Sequence, residues 1–286
     1  MSYIRFSFDT KKLGLKEPCI RIYPLPCMHL GAPQCDVQFL REHIARISRD
    51  PNARWVYMGD GGECVTKYSK GDVYGQLMSP QLQLECLVDL LTPIKDKALF
   101  GIRGNHGHRV YKETGLSFDH SLCKALGIPY MGVGTFCNLI VNRSSYDLFF
   151  HHGIDSGISL RVKIQAAEAF MLHINADAVF TAHSHIAQEL TPAAIEEADN
   201  YNCCVRTKLR QQYICGTAYD SRTGYAEDKG FPPLLPAYLA VAFDGRVIEG
   251  HASYSQSCQV WRSDGKHALR HEYLLKYLTD PERRTE

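Results

Sequence analysis

What the chain lacks narrows it first. Its 286 residues hold no apolar run near the ~20 positions that a bilayer-spanning helix needs. Met1-Ser2-Tyr3-Ile4-Arg5 carries no secretory-signal pattern, so a soluble, cytoplasmic protein with no membrane partner is expected. One-signed charge is missing too: 32 Lys and Arg stand against 31 Asp and Glu, a formal +1. That removes any general attraction to polyanions and leaves only a local basic patch open. Cys-x-x-Cys is absent although there are eleven cysteines, an odd number without regular spacing. This argues against a disulfide scaffold or a zinc ribbon and for small buried thiols in a reducing compartment. Repeats, low-complexity tracts and linkers are absent as well, so residues 1–286 are expected to form a single domain with room for a real core.

What is present is a set of short apolar runs that end in polar, chemistry-bearing residues. Trp55–Met58 has the length of a buried strand and stops at Gly59-Asp60-Gly61-Gly62-Glu63. A carboxylate is thereby placed at a strand tip, where open α/β sheets keep their binding groups. Ile20–Pro26 runs into Cys27-Met28-His29, Ala98–Arg103 into Gly104-Asn105-His106, Leu148–Phe150 into His151-His152-Gly153, and Ala178–Thr181 into Ala182-His183-Ser184-His185. Five strand ends bearing Asp, Asn, Cys and His are hard to explain as packing.

The intervening segments read as helices. Asp36 is a candidate N-cap for a helix with Val37, Leu40, Ile44 and Ile47 on one face. Ser79-Pro80 opens a second helix carrying Leu84, Leu87, Val88 and Leu91, closed or kinked by Pro93. Strand, helix, strand, helix, strand is the signature of parallel βαβ units. Further on, Phe118–Leu126 reads as a short helix and Phe136–Asn142 with Tyr146–Phe150 as a hairpin. Ile158–Ile174 reads as a helix packed through Val162, Ala166, Ala169, Phe170 and His173. Ser2–Phe8, Arg210–Cys215 and Ala237–Phe243 read as strands, and Asp244-Gly245 as a turn into another at 246–251. Long loops at 64–79 and 216–236 flank the active-site end. The second is expected on the substrate side, and the last residues, 281–286, are expected to fray.

In chain order the strand tips resemble the motifs of the calcineurin-like metallophosphoesterases: Asp-x-His, Gly-Asp-x-x-Asp, Gly-Asn-His-Glu, a lone His-Gly, and Gly-His-x-His. Here they read Cys27-Met28-His29, Gly59-Asp60-Gly61-Gly62-Glu63, Gly104-Asn105-His106-Gly107, His152-Gly153 and Ala182-His183-Ser184-His185. The resemblance implies an α/β fold, a four-layer α-β-β-α sandwich of two mixed sheets. It also implies a dinuclear metal centre of two divalent ions (Zn, Mn or Fe). Asp60 would bridge them, a task that suits a hard carboxylate. Cys27, His29 and His185 would serve the first ion, and Asn105, His152 and His183 the second. His106 would be catalytic and Glu63 the acid that orients it. Arg103, Arg109 and Arg222 are candidate substrate-binding cations. His151, one residue from His152, points to the opposite face of its strand.

Cys27, Ala182 and Gly107 depart from the pattern in ways that bear on the chemistry. Cys27 stands where the family has Asp, and a thiolate favours zinc or iron over manganese or magnesium. Cys27 can ligate, can stay neutral beside a first site of His29, Asp60 and His185, or can leave the protein largely mononuclear. Asp36 then stays open as a water-mediated helper, beside its reading as a plain N-cap. Ala182 replaces Gly, which is tolerable if its φ is negative. Gly107 replaces Glu, so that acid's work is absent or done by another residue.

The function implied is metal-dependent hydrolysis of phosphoester bonds by a metal-bridging hydroxide, with His106 assisting the leaving group. The Asp-Arg-Gly continuation of protein phosphatases is absent after Gly59-Asp60, which counts against that branch. Tyr219–Glu227 resembles a segment of phage-encoded members. That segment, and basic loops with Arg206, Lys208, Arg210 and Arg222, favour a phosphodiesterase acting on nucleotides or nucleic acid. The near-neutral charge argues against strong duplex binding. The alternatives are a phosphomonoesterase of the same fold and a non-catalytic phosphoesterase-like binding scaffold. Retention of Asp60, Asn105 and His106 together argues against the scaffold.

Overall fold

A computed structural model describes residues 2–69, 71–154, 157–190, 193–199, 203–246 and 256–264. The frayed end expected at 281–286 and all but the first residue of the strand expected at 246–251 lie outside these residues. The described strands are β1 (Ser2–Phe8), β2 (Cys19–Leu25), β3 (Ala53–Tyr57), β4 (Ala98–Gly101), β5 (Gly134–Val141), β6 (Ser144–His151), β7 (Ala178–Thr181), β8 (Ala187–Glu189), β9 (Ala193–Asp199), β10 (Cys204–Thr217), β11 (Ala237–Asp244) and β12 (Gln256–Arg262). They are joined in one mixed sheet with the order β1-β5-β6-β7-β10-β11-β2-β3-β4. There β8 and β9 pair with β10, and β12 pairs with β11. The helices are α1 (Val37–Arg49), α2 (Pro80–Leu91), α3 (Asn105–Thr114), α4 (Phe118–Leu126), α5 (Leu160–His173) and the short α6 (Tyr225–Asp228). Among the described residues no helix is long and apolar enough to cross a membrane.

Where two separate sheets were expected, the hydrogen bonding is continuous, and β10 is the reason. Within its 14 residues, Gln211–Ile214 pair with β7 in parallel, and Gly216 and Thr217 alone reach β11. The sheet doubles back at this narrow join. Ile22, Val56 and Phe100 from one arm share an apolar interior with Leu148, Phe180 and Tyr213 from the other. On the outer side of β2 and β3, Tyr23, Trp55 and Tyr57 pack with Leu40, Leu87 and Leu122 of α1, α2 and α4. Both faces of β2 and β3 are therefore buried, which explains why these strands read as unbroken apolar runs.

Several elements follow from local chemistry. Asp36 caps α1: its Oδ1 accepts the Phe39 N–H at 3.0 Å and its Oδ2 accepts the Ser263 hydroxyl at 2.5 Å. Both carboxylate oxygens are thus engaged in structure, and the expected Val37, Leu40, Ile44 and Ile47 face is buried. Ser79 caps α2 with Pro80 at its first turn, and a 3-10 turn at Thr92–Lys97 takes over at Pro93. Ser117 caps α4 and Gly127 closes it.

Other elements differ from the sequence reading. The buried face of α5 holds Lys163 and Ala167, whereas Val162 and His173 are exposed. Apolar residues fall on more than one flank of this helix, so spacing does not single out the packed one. Helix α3 was not anticipated, because Val110 is its one buried aliphatic residue and no apolar stripe announces it. The basic segment 206–210 is not a loop but part of β10. Its register sets Arg206 opposite Glu197 and Thr207 opposite Glu196 on the acid-rich β9.

Candidate metal centre

The strand tips are zipped together beyond the strands themselves. Past the parallel β2–β3 pair, the Cys27 N–H donates to Gly59 O at 3.0 Å, the His29 N–H to Asp60 O at 3.1 Å and the Glu63 N–H to Leu30 O at 3.0 Å. The end of β10 joins them, with the Ala218 N–H and the Thr217 hydroxyl both donating to Cys27 O. Gly104 opens α3 without a side-chain cap. Instead Asp60 Oδ1 accepts the His106 N–H at 2.7 Å, a carboxylate seated at a helix N-terminus. The contact leaves no room for a side chain, since a Cβ on Gly104 would lie 2.1 Å from Asp60 Oδ1. The ends of β6 and β7 are tied by the Ala182 N–H donating to His152 O at 3.0 Å.

Backbone strain is concentrated at the same place. Eight described non-glycine residues have positive φ, and five of them are candidate ligands: Cys27, His29, Asp60, His183 and His185, at 49° to 66°. Such left-handed conformations persist where surrounding structure over-determines them, and they cluster at functional sites. Ala182 is not among them, which is the condition its methyl required.

The side chains converge with acceptor atoms facing one another. His152 Nδ1 lies 2.6 Å from Met58 O, so its proton is donated there and Nε2 carries a bare lone pair. That lone pair meets Asn105 Oδ1 at 2.9 Å and Asp60 Oδ2 at 3.0 Å. In that neutral form of His152 the fully buried Asp60 Oδ2 has no donor, and a proton on Nε2, which Asp60 favours, or a cation would fill the gap. His29 repeats the pattern: Nδ1 donates to Glu63 Oε2 at 2.8 Å, and Nε2 faces His185 Nε2 at 3.0 Å. Cys27 Sγ joins both sets, lying within 4.8 Å of the ligand atoms of His29 and His185 and of those of Asp60 and His152. Buried acceptors turned toward each other are costly unless a cation or a proton sits between them. These residues therefore fit a divalent-cation cluster. His183 stands beside His152, ring centroids 5.4 Å apart.

Titration behaviour reflects the same crowding. Burial pushes the Asp60 carboxyl up, but the imidazoles of His152, His106 and His29 outweigh it and hold the group well below the carboxylate range. Burial and the neighbouring imidazole of His29 push His185 well below the usual imidazole value. Burial opposes protonation of His152, yet Asp60 raises it overall. Burial and Asp60 also hold the Cys27 thiol well above its ordinary value, against the His183 main-chain N–H. Cys27 is a neutral thiol in the cation-free cluster, and a metal ion is the group that would release its proton.

Beside the cluster, Glu63 is divided differently from the expectation. Its carboxylate belongs to His29 and stands 3.5 Å from His106 Nδ1. Its main-chain carbonyl takes the His106 Nδ1 proton at 2.8 Å, while Arg109 Nη2 donates to His106 Nε2 at 3.0 Å. Burial drives His106 down to about 4, so it is neutral with both ring nitrogens engaged. The Gly107 departure has a partner that sequence reasoning missed. A Cβ at position 107 would lie 2.4 Å from Asp119 Oδ2, so a buried carboxylate from α4 fills that space. Asp119 accepts the Tyr57 hydroxyl at 2.6 Å and the Gly104 N–H at 3.3 Å, and the Tyr57 oxygen accepts the Gly61 N–H at 2.9 Å. One buried pair thus holds the loops that carry Asp60 and Asn105.

No protein-family model matches the chain, and no curated protein matches it. Among solved structures it is similar to vacuolar protein sorting 29 from Cryptosporidium parvum, at 12% identity and a TM-score of 0.40 over 86% of this chain and 99% of that one. Wild-type vacuolar protein sorting 29 from Entamoeba histolytica, complexed with zinc, is similar at 10% identity and a TM-score of 0.36 over 85% of this chain and 99% of that one. A conserved uncharacterized protein from Streptococcus pneumoniae TIGR4, described as a predicted phosphoesterase, is similar at 11% identity and a TM-score of 0.33 over 86% of this chain and 98% of that one. Likeness at that level decides nothing about chemistry, which has to come from the side chains.

The cluster opens into a cleft of about 620 Å³ whose floor includes His29, Asn105, His106, His183 and His185. Of the three arginines proposed to bind substrate, Arg109 lines it. Arg222 is committed to a bidentate pair with Asp220, at 2.6 Å to Oδ2, and Arg103 is not among the lining residues. The second lining cation is Lys163 from the buried face of α5, which the misjudged helix face had concealed. The 216–236 segment supplies one wall, including Tyr219, Tyr225, Phe231 and Leu234.

Proposed function

We propose that this protein is a metal-dependent phosphoester hydrolase that prefers phosphodiesters, with nucleotides or nucleic acid as the substrate class. The observation that carries this reading is the convergence of Asp60 Oδ2, Asn105 Oδ1 and His152 Nε2, alongside His29 Nε2 facing His185 Nε2, with Cys27 common to both sets. Cys27, His29, Asp60 and His185 would hold one divalent ion, and Asp60, Asn105, His152 and His183 the other. Zinc, manganese or iron fits a set that mixes imidazole, carboxylate, amide and thiol. Bound ions supply Lewis acidity toward phosphoryl oxygens and lower the pKa of water.

The chain's own residues do the rest. His106, fixed through Nδ1 by the Glu63 carbonyl, lines the cleft, and a proton taken up at Nε2 in place of the Arg109 contact would let it work on the leaving-group oxygen. Arg109, already on that nitrogen, supplies positive charge for the phosphoryl oxygens. Glu63 sets the tautomer of His29 and so aims its free nitrogen. The four-layer sandwich belongs to the same reading, supported by the shared interior of the two sheet arms and the helices outside β2 and β3. So does a reducing, cytoplasmic setting, since Cys27 has to remain a thiol to enter the cluster.

The test is hydrolysis of bis(4-nitrophenyl) phosphate and 4-nitrophenyl phosphate by chelator-stripped protein reconstituted with Mn²⁺, Zn²⁺ or Fe²⁺, with metal content measured in parallel. The expected result is two ions per chain and faster turnover of the diester. A faster monoester would move the reading to a phosphomonoesterase. Metal-loaded protein inert toward both would leave a binding scaffold.

A further inference from the structure

The cleft is not uniform, and its asymmetry says something about the substrate beyond the phosphoryl group. On the His106 side Arg109 is the only lining cation among the described residues. Across the floor, Lys163 lies against the His183-Ser184-His185 turn, with Nζ 3.3 Å from Ser184 O. This lysine is 8% exposed, far more buried than a lysine in a solvated role, and it lines the cleft. Its ammonium sits 5.1 Å from the centroid of the Phe231 ring. Phe231 meets Tyr225 edge to face at 6.3 Å, and Tyr225, on α6, is 47% exposed. Behind them Ala32, Tyr219 and Ala226 form a small apolar cluster that backs Phe231. The wall is held by close packing, since a Cβ on Gly224 would lie 2.1 Å from Gln34 Nε2.

A buried cation beside a half-open aromatic corner, both continuous with the metal centre, has a definite chemical complement. The geometry points to a subsite for a planar aromatic ester group of a phosphodiester, with the ring against Tyr225 and Phe231 and the phosphoryl charge facing Lys163. Aromatic faces reward a flat, polarisable group by offset or edge-to-face packing, and a cation beside them favours an anionic neighbour on the same ligand. An aliphatic substituent would fill the corner without those contacts. The cleft volume of about 620 Å³ accommodates a ring together with a phosphodiester. This subsite rests on the hydrolase reading for its orientation, but ring binding can be measured without catalysis.

The experiment uses three diesters with one leaving group, 4-nitrophenolate: the methyl, phenyl and thymidine 5′-esters of 4-nitrophenyl phosphate. Hydrolysis consumes one water and gives ROPO₃²⁻, 4-nitrophenol and one proton, so only R differs. The phenyl and thymidine esters are expected to exceed the methyl ester in kcat/KM by about tenfold or more. In Tyr225→Ala and Phe231→Ala that ratio should fall to within about twofold. Lys163→Gln should raise KM for all three and Lys163→Arg should restore it. In parallel, metal-free protein is titrated with methyl phosphate, phenyl phosphate and thymidine 5′-monophosphate. The two aromatic ligands should bind about tenfold tighter in wild type and lose that margin in Tyr225→Ala. A thymidine advantage over phenyl identifies a nucleoside ligand, and parity identifies a general aryl site. Equal rates and equal binding across the series overturn the subsite while leaving the hydrolase reading intact. Loss of hydrolysis for every ester with every ion overturns the hydrolase reading, and the binding titration then decides the subsite alone.

Discussion

Cys27 is the residue on which the proposed metal chemistry turns. Its sulfur touches both ligand sets, yet burial and the Asp60 charge hold it as a thiol until a cation arrives. If it ligates, Cys27→Ser should reduce the metal content from two ions to one, with Asp60, Asn105, His152 and His183 keeping theirs. Cys27→Asp should shift the preference toward manganese by supplying a harder oxygen. Elemental analysis of protein reconstituted with mixed Zn²⁺ and Mn²⁺ checks both, and two ions in the Ser variant would remove Cys27 from the ligand set. His106 stands beside the donor atoms rather than among them, held by Glu63 O and Arg109. His106→Asn should therefore keep wild-type metal content and lose turnover by ~10²–10⁴-fold, the range for a removed acid–base group. Loss of the metals in that variant would make His106 a ligand instead.

At the scale of elements, the centre depends on two tips that touch without side chains between them. Gly59 and Gly104 let the β3 loop and the start of α3 approach until Asp60 can cap the helix. Gly104→Ala should clash with Asp60 and cost about 1–3 kcal/mol, the usual range for overpacking, along with much of the metal affinity. Gly127→Ala, past the end of α4, is the matched control. Its φ is +71° but a Cβ there meets nothing within 4 Å, so it should lose some stability and bind metal as wild type does. Thermal melts and metal titrations of the two variants separate the outcomes. Equal metal affinity in both would show that the tips are not clamped by that contact. The α3 case also shows what sequence pattern misses: this helix is organised by a carboxylate from another loop rather than by its own apolar spacing.

Across the whole molecule, buried histidines set the acid response. His43 is fully buried among Tyr23, Phe39, Tyr238 and Trp261, and burial with the nearby Arg46 drives it down to about 3. Its Nδ1 accepts from Arg46 at 3.1 Å, which leaves Nε2 without a partner. His106, at about 4, is depressed chiefly by burial as well. A histidine depressed in the fold adds no pH dependence above about 6.5, where both folded and unfolded forms are neutral. Below that the unfolded chain takes up the proton first, so stability is lost as pH falls toward the folded value. The metal-free protein should therefore weaken between about pH 6.5 and pH 4, by ~1.4 kcal/mol per pH unit for each such group. His43→Phe should flatten the slope by about one proton in urea titrations across that range. An unchanged slope would show that His43 is not neutral in the fold.

The sequence by itself determined what local chemistry controls. Asp36 and Ser79-Pro80 mark helix starts because caps act over one turn. The doubly buried runs at 20–25 and 55–58 mark strands because both faces had to be apolar. The Asp, Asn, Cys and His residues just past the strand ends marked the centre, since packing alone gives no reason for them. Tertiary structure decided everything that depends on distant partners. Whether the sheet was one or two rested on two residue pairs at Gly216 and Thr217. The carboxylate of Glu63 went to His29 rather than His106, and Asp119 took the space opened at Gly107. Lys163 entered the cleft that Arg103 and Arg222 do not line, because the packed face of α5 was chosen by its neighbours. Spacing along a chain fixes which residues share a face. Which face is buried, and which side chain it brings to a site, is settled only by what packs against it.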